Sequence, residues 1–388
     1  MNTLWEYKKI GDVCTVERGG SPRPIDKFIT EDENGINWIK IGDTTESMYI
    51  TKTEQKIIPE GIKKSRYVRP GDFLLSNSMS FGRPYILQID GCIHDGWLVL
   101  RDDSDFFDKR FLYYCLSSKT TYEKFKSMAV GGVVNNLNSE MVRNVLVPVP
   151  DRVEQCEIAD LLDKLTQIIS YRKNEIRLLD TLIKARFVEM FGDPVADTMK
   201  WGQKPLKDFL KSIRYGTSTP PKFTDYGYAF IRATNIKAGR IVDDDMKFIN
   251  QQEADRLEKF KLSGGEIIIV RSGVNAGDTC IITDKYIGQY AGYDMIIVLN
   301  EMLNPTFLNM LINTTYMERV VKPMTRRAAQ PHLNAEQTQS FPIICVPRKL
   351  QDEFAEFVQQ VDKSKVVVQK ALDETQTLFD SLMQEYFG

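Results

Sequence analysis

Pro150-Asp151-Arg152-Val153-Glu154-Gln155-Cys156-Glu157-Ile158-Ala159 opens a segment that contains no further Gly or Pro until Gly192. Pro347-Arg348-Lys349-Leu350-Gln351-Asp352-Glu353-Phe354-Ala355 opens a second, equally uninterrupted as far as Gly388. Proline suits the start of a helix and glycine the residue just past its end, so each segment is expected to be one long helix. In the first, Ile158, Leu161, Leu165, Ile168, Arg172, Ile176, Leu179, Ile183 and Met190 recur at mostly three- and four-residue steps. In the second, Phe354, Val358, Val361, Val368, Leu372, Phe379, Leu382 and Tyr386 do the same. At 1.5 Å per residue, about 40 residues make a rod of roughly 60 Å. Alone, such a rod would leave an apolar stripe in water. The pair is therefore expected to form an antiparallel coiled-coil stalk; the alternative is that each helix packs on its own neighbouring domain.

Outward from these helices, the whole chain repeats. A shift of 196 residues takes Trp5 to Trp201, Lys8 to Lys204, Arg18 to Arg214, Gly20 to Gly216, Phe111-Leu112 to Phe307-Leu308, Leu137-Asn138 to Leu333-Asn334, Gln155 to Gln351 and Phe191-Gly192 to Phe387-Gly388. The part before each helix mixes short apolar runs, such as Ile36-Asn37-Trp38-Ile39, Phe73-Leu74-Leu75 and Trp97-Leu98-Val99-Leu100, with Gly/Pro turns. That pattern predicts strands with one or two helices. The expected organisation is a head at 1–150, a helical spacer at 151–192, a second head at 193–347 and a second spacer at 348–388. The fold class is α+β: two pseudo-repeated mixed α/β domains joined by two long antiparallel helices with pseudo-twofold symmetry.

Composition narrows the function classes. With 51 Lys+Arg against 53 Asp+Glu, the chain is neither a polybasic nor a strongly acidic binder. The spacers carry a net charge of −4 and the heads +2, with basic residues bunched at Arg18 and Arg23, at Lys63, Lys64, Arg66 and Arg69, at Lys119, Lys124 and Lys126, and at Arg326 and Arg327. Such clusters can neutralise phosphates locally. Six scattered cysteines without a C-x-x-C pair suggest neither a zinc site nor a disulfide framework. No apolar run is long enough to span a membrane, and Met1-Asn2-Thr3-Leu4-Trp5 lacks the features of a secretory leader, so a cytoplasmic protein is expected.

Catalytic chemistry finds no foothold. There is no G-x-x-x-x-G-K-[ST] loop to cradle nucleotide phosphates. The two histidines, His94 and His332, are too few for a His/carboxylate metal centre or a His-based triad. Asn304-Pro305-Thr306-Phe307 looks like the Asn-Pro-Pro-Phe tetrad of amino-methyltransferases, where an amide holds the target amine and an aromatic stacks on a flipped base. The repeat argues otherwise: Asn304 aligns with Asp108 and Phe307 with Phe111, and both positions fit helix N-caps leading into apolar turns. Asp151 is likewise expected as an N-cap. The expectation is no catalytic, metal or cofactor site in this chain.

Two unlike heads on a rigid rod suit a duplex bearing two separated, non-identical features, with half-sites roughly 34–36 Å apart for one helical turn. A series of motifs recurs in order: Trp5, Gly20-Ser21-Pro22-Arg23-Pro24, Pro70-Gly71-Asp72-Phe73-Leu74, Gly131-Gly132-Val133-Val134-Asn135-Asn136-Leu137-Asn138, Pro148-Val149-Pro150 and Gln155-x-x-Ile158-Ala159. The second-half counterparts are Gly265-Glu266-Ile267-Ile268, Ala329-Gln330-Pro331-His332-Leu333-Asn334 and Gln351-x-x-Phe354-Ala355. On these motifs the chain resembles a type I restriction–modification specificity subunit. The resemblance implies two target-recognition domains on double-stranded DNA and no active site in this chain. It implies two copies of a modification (methyltransferase) subunit bringing S-adenosylmethionine to methylate adenine. It also implies a restriction/translocase subunit using ATP and Mg2+, and no membrane. The rival from another class is a coiled-coil scaffold whose heads bind protein rather than DNA.

Candidate reading residues follow from side-chain chemistry: Asn pairs bidentately with adenine, Arg with guanine, Ser with either, and Gly permits close backbone approach. After the strand at Phe73-Leu74-Leu75 come Asn77, Ser78 and Arg83; the equivalent second-head loop offers Arg271, Ser272 and Asn275. Arg23, Lys40, Asn135, Asn136, Arg232, Asn235, Arg326, Arg327 and Gln330 are further candidates for base or phosphate contact.

Overall fold

The computed structural model describes residues 5–77, 82–129, 136–325 and 331–388. It divides into two compact units, Met1–Lys173 with Lys370–Gly388, and Asn174–Gln369. The long helices are observed at Arg152–Phe191 and Arg348–Phe387, and each runs out of one unit into the other.

In the first unit the head is closed by its own ends. Strand Glu6–Lys9 pairs antiparallel with Leu146–Val149, Lys8 facing Val147, so the chain leaves beside where it entered. The central sheet orders Thr15–Arg18, Trp97–Arg101, Phe73–Ser76, Pro84–Leu87 and Tyr49–Ile50. Its apolar runs are continuous because both faces are covered. Leu98, Leu100, Phe73 and Leu75 point into the core shared with the helical segments, whereas Trp97, Val99 and Leu74 point to Ile39, Tyr85 and Ile93. A second sheet carries a parallel pair, Ile36–Ile39 beside Gly91–Ile93.

The second unit repeats the plan with smaller sheets. Gln203–Pro205 pairs with Pro342–Ile344, Lys204 facing Ile343. The central sheet orders Leu210–Tyr215, Met295–Leu299, Ile267–Ile269 and Thr279–Ile281. Ile267, Ile269, Met295 and Ile297 face the core shared with the helices; Ile268, Val270 and Ile296 face the other layer. The parallel pair recurs as Tyr228–Ile231 beside Tyr290–Ala291.

Each spacer helix begins on its own head through a buried glutamine. Gln155 Oε1 accepts the Asp108 N–H at 2.8 Å, and its Nε2 donates to the carbonyls of Phe106 and Pro150. Gln351 repeats this with the Asn304 N–H at 2.7 Å and the carbonyls of Met302 and Val346. Asp151 caps the first helix, its Oδ1 accepting the N–H groups of Val153 and Glu154, and Gly192 ends it at φ 71°. Each helix then finishes on the other head. Phe191 packs on Phe307, ring centroids 4.9 Å apart, and Phe387 on Phe111 at 5.3 Å.

Within each unit the two helix segments run antiparallel. In the first, the opening turns of Arg152–Phe191 share a core with the closing turns of Arg348–Phe387, Ile158 and Leu162 with Phe379, Leu382 and Phe387. In the second, Phe191 meets Phe354, whereas Asp180 lies further along against Lys365. Helix pairing and packing on a head, set against each other above, therefore both occur. The buried stripe also differs from the expected one: Leu161 and Ile168 are 38% and 40% exposed, and Leu162 and Ile169 are buried instead. The face turns because it must serve a head helix, through Tyr114 and Phe111, as well as a partner helix.

Candidate nucleic-acid interface

The loop following the central-sheet strand is built the same way in both heads. In the first, Ser76 N–H donates to Arg83 O and Gly82 N–H to Ser76 O at 2.7 Å. In the second, Val270 N–H donates to Asp278 O and Gly277 N–H to Val270 O at 2.7 Å. The closing residue is glycine because its φ is 79° at Gly82 and 98° at Gly277. A β-carbon at Gly277 would also lie 2.4 Å from Val321 Cγ1. A third segment seals each loop base: Leu137 N–H donates to Asn77 O, and Leu333 N–H to Arg271 O.

In the first head this base is organised by Asp95. Ser21 Oγ donates to Asp95 Oδ1 at 2.7 Å, Arg23 Nη2 approaches Oδ2 at 3.3 Å, and Arg18 Nε and Asn77 Nδ2 donate to its carbonyl. The Ser21 hydroxyl, with help from Arg23, holds the Asp95 carboxyl below its ordinary range. Asn77 is thus brought to the loop base, but its side chain is buried and its amide engaged. Arg23 is exposed beside it. Lys40 lies at the turn where His94 Nε2 accepts the Ile41 N–H. Arg83 is exposed, stacks on Tyr85 and donates to Thr45 O. Asn136 is exposed next to Leu137. Ser78 and Asn135 lie outside the described residues.

In the second head Arg271, Ser272 and Asn275 come together on one loop. The Arg271 guanidinium lies between the rings of Tyr215 and Tyr293, its Cζ 4.5 and 4.1 Å from their centroids, and Nη2 meets His332 Nε2 at 3.2 Å. Ser272 bridges to His332, and Asn275 Nδ2 reaches Ala233 O at 3.4 Å. That last contact links the loop to Arg232 and Asn235. Asn235 is fully buried, bonding Val242 O and Asp244 O, and Arg232 is tied to Asp245. Arg326, Arg327 and Gln330 lie outside the described residues. Asn304 is the N-cap of Pro305–Leu311, its Oδ1 accepting Thr306 N–H and its Nδ2 donating to Asp352, and Phe307 is buried.

Asp95, Tyr215, Tyr293, Asp294 and His332 were not among the expected site residues. The uniform 196-residue shift hides them. Gly19 N–H donates to Trp97 O and Gly216 N–H to Asp294 O, both at 2.9 Å, so on these strands the offset is 197 and Gly216 matches Gly19 rather than Gly20. A β-carbon at Gly19 would lie 2.2 Å from His94 O, and one at Gly216 1.7 Å from Gly292 O, so the same close crossing demands glycine in both. With that offset Tyr215 stands where the first head has Arg18.

Asp294 supplies a measurable handle on this site. Its Oδ1 accepts the Arg271 N–H at 3.1 Å, and burial pushes its carboxyl up from 3.8 to about 6, against the opposing pull of Arg271. The folded state therefore holds a proton that the unfolded chain releases earlier. This contribution to stability is complete below pH 3.8 and is lost as pH rises through about 6. Asp294→Asn keeps the acceptor and removes the titration. Its stability relative to the parent is expected to rise by about 2–3 kcal/mol between pH 4 and pH 7. Urea denaturation at the two pH values measures this, and a pH-independent difference would refute it.

Among the described residues no group of three His, Cys, Asp or Glu side chains is placed to hold a metal ion, and no helix is long and apolar enough to cross a membrane. Comparison with known proteins gives one answer for both halves. The sequence model of the family described as type I restriction modification DNA specificity domain matches residues 2–178 and again 199–375. The MjaIX type I restriction enzyme specificity subunit of Methanocaldococcus jannaschii is 22% identical, over 98% of this chain and 91% of its own. The EcoBI specificity subunit of Escherichia coli is 19% identical, over 92% and 80%. The crystal structure of the type I restriction–modification S subunit from M. genitalium superposes with a TM-score of 0.60 at 14% identity, over 100% of this chain and 97% of that one. Matched twice along its length by that family, this chain belongs to the type I restriction–modification DNA specificity subunits, which select the DNA sequence and are not themselves catalytic.

Proposed function

We propose that each head reads one half of an asymmetric bipartite site in double-stranded DNA, using the loops 77–83 and 271–277 with the segments that seal their bases. The observation that carries this is the pairing of like construction with unlike chemistry. Both loops close through the same glycine bond, but the sequence of one carries Asn77, Ser78 and Arg83 and that of the other Arg271, Ser272 and Asn275. A shared frame presenting different donors suits two dissimilar half-sites. Because Asn77 and Asn235 are buried and engaged, Arg23, Arg83, Asn136, Arg271, Ser272 and Asn275 are the stronger candidates for contact. Ser78, Lys40, Asn135, Arg232, Arg326, Arg327 and Gln330 complete the proposed surface. In the cytoplasm the chain would direct two modification subunits, which supply S-adenosylmethionine, and a restriction subunit, which uses ATP and Mg2+.

Methylome sequencing with and without the gene, in a strain with active partner subunits, tests this. Deletion is expected to abolish one adenine-methylation motif with two dissimilar halves and a fixed gap. Binding of the assembled methyltransferase complex to that duplex is expected to weaken steeply with added salt. Survival of every methylation motif in the deletion strain would defeat the reading, and salt-indifferent or absent duplex binding would favour a protein-binding scaffold.

A further inference from the structure

Arginines that are part-buried in the second unit are neutralised by carboxylates. Arg214 is bound by Glu266 and Arg232 by Asp245, and the more exposed Arg240 reaches both Asp180 and Asp362. Arg271 is different. Among the described residues no carboxylate lies within ion-pair distance of its guanidinium; Asp294 takes its backbone N–H instead. Two tyrosine rings and one imidazole nitrogen hold it. A guanidinium stacked between aromatic faces has its plane fixed while its N–H donors, which lie in that plane, stay free. His332 Nε2 occupies one hydrogen of Nη2, and Nη1 has no acceptor among the described residues. Nε is buried without a partner, as it also is at Arg232, so what sets Arg271 apart is its two terminal nitrogens, which no carboxylate pairs among the described residues, and not its Nε. The result is a guanidinium with no direct ion-pair partner among the described residues and at least one donor available from each terminal nitrogen, at the base of a loop closed by Gly277.

We propose that Arg271 reads a guanine in the half-site of the second head, Nη1 and Nη2 donating to O6 and N7 in the major groove, with Tyr215 and Tyr293 as positioning residues. This rests on the reading of the 271–277 loop as DNA-facing. Only guanine presents two acceptors side by side on that edge, so the arrangement selects one base.

The test uses the assembled complex with its modification subunits and the duplex motif identified by methylome sequencing. Each guanine is replaced in turn by 7-deazaguanine, which lacks only the N7 acceptor. Wild-type affinity is expected to fall about tenfold at one position. Arg271→Lys keeps the charge but loses the fork. It is expected to bind the unmodified duplex about tenfold more weakly and to ignore 7-deazaguanine at that position. Should that variant not fold, Tyr293→Leu, which removes one face of the sandwich, is expected to blunt the same response. Indifference of the wild-type complex to 7-deazaguanine at every guanine overturns the proposal, as does a motif without guanine or an Arg271→Lys complex as sensitive as wild type. Failure of the wild-type complex to prefer its motif duplex at all would overturn the DNA-facing reading along with it.

Discussion

Gln351→Leu is expected to destabilise the second unit by about 3 kcal/mol, because it removes the shared partner of three backbone groups at once. The Asn304 N–H and the carbonyls of Met302 and Val346 all meet the amide of Gln351, whose side chain is buried. Leucine fills the space and satisfies none of them. Trp201 is the only tryptophan between residues 174 and 369, so its fluorescence follows the second unit during denaturation of the full chain. Gln155→Leu is expected to produce the same loss in the first unit, leaving the Trp201 signal in place. A loss below about 1 kcal/mol in the second unit would mean the hub contributes no more than one ordinary hydrogen bond.

Phe307→Ala is expected to cost a similar amount, about 3–5 kcal/mol, for a different reason. Phe307 is fully buried and contacts Phe187 and Phe191, with Phe354 packed on both from the second spacer. Deleting the ring opens a cavity at the point where the end of one spacer and the start of the other are anchored to the same head helix. Phe307→Leu, which leaves a smaller void, is expected to lose about 1–2 kcal/mol. Equal losses for the two variants would argue against a cavity. The same substitution separates this Asn-Pro-Thr-Phe run from a methyltransferase motif: its primary effect is on folding, as its place in the core requires.

The long helices were legible because their signals are local. Proline before, glycine after, an Asp cap and apolar steps all act within a few residues of one another. The face they bury was legible only approximately. Leu161 and Leu162 satisfy the periodicity equally well, and what chooses between them is Tyr114 and Phe111 of the head, far away in sequence. The loops were located for the same local reason, a strand followed by Gly-rich polar residues. Which candidate side chains are free was not legible, since Asn77 and Asn235 look like the exposed candidates in sequence, but their amides are engaged by the carbonyls of Asp95 and of Val242 and Asp244. The Arg271 sandwich depends on residues 56 and 22 positions away, drawn together by the strands at Leu210–Tyr215 and Met295–Leu299. A uniform offset between halves conceals such a site because loop lengths change the offset from strand to strand.

The swapped anchoring of the helices also sets an order of events during protein synthesis. All of the second unit lies in one continuous stretch, Asn174–Gln369, so every residue of its core is available once that stretch clears the ribosome. The first unit needs Lys370–Gly388 as well. Until those residues emerge, Trp5, Phe111 and Tyr114 lack the rings of Tyr386, Phe387 and Phe379 that complete their packing. The half of the protein that is translated first is thus the half whose core waits for the last residues synthesised, and a nascent chain stalled before residue 370 would lack part of the packing of the first head and none of the residues of the second unit.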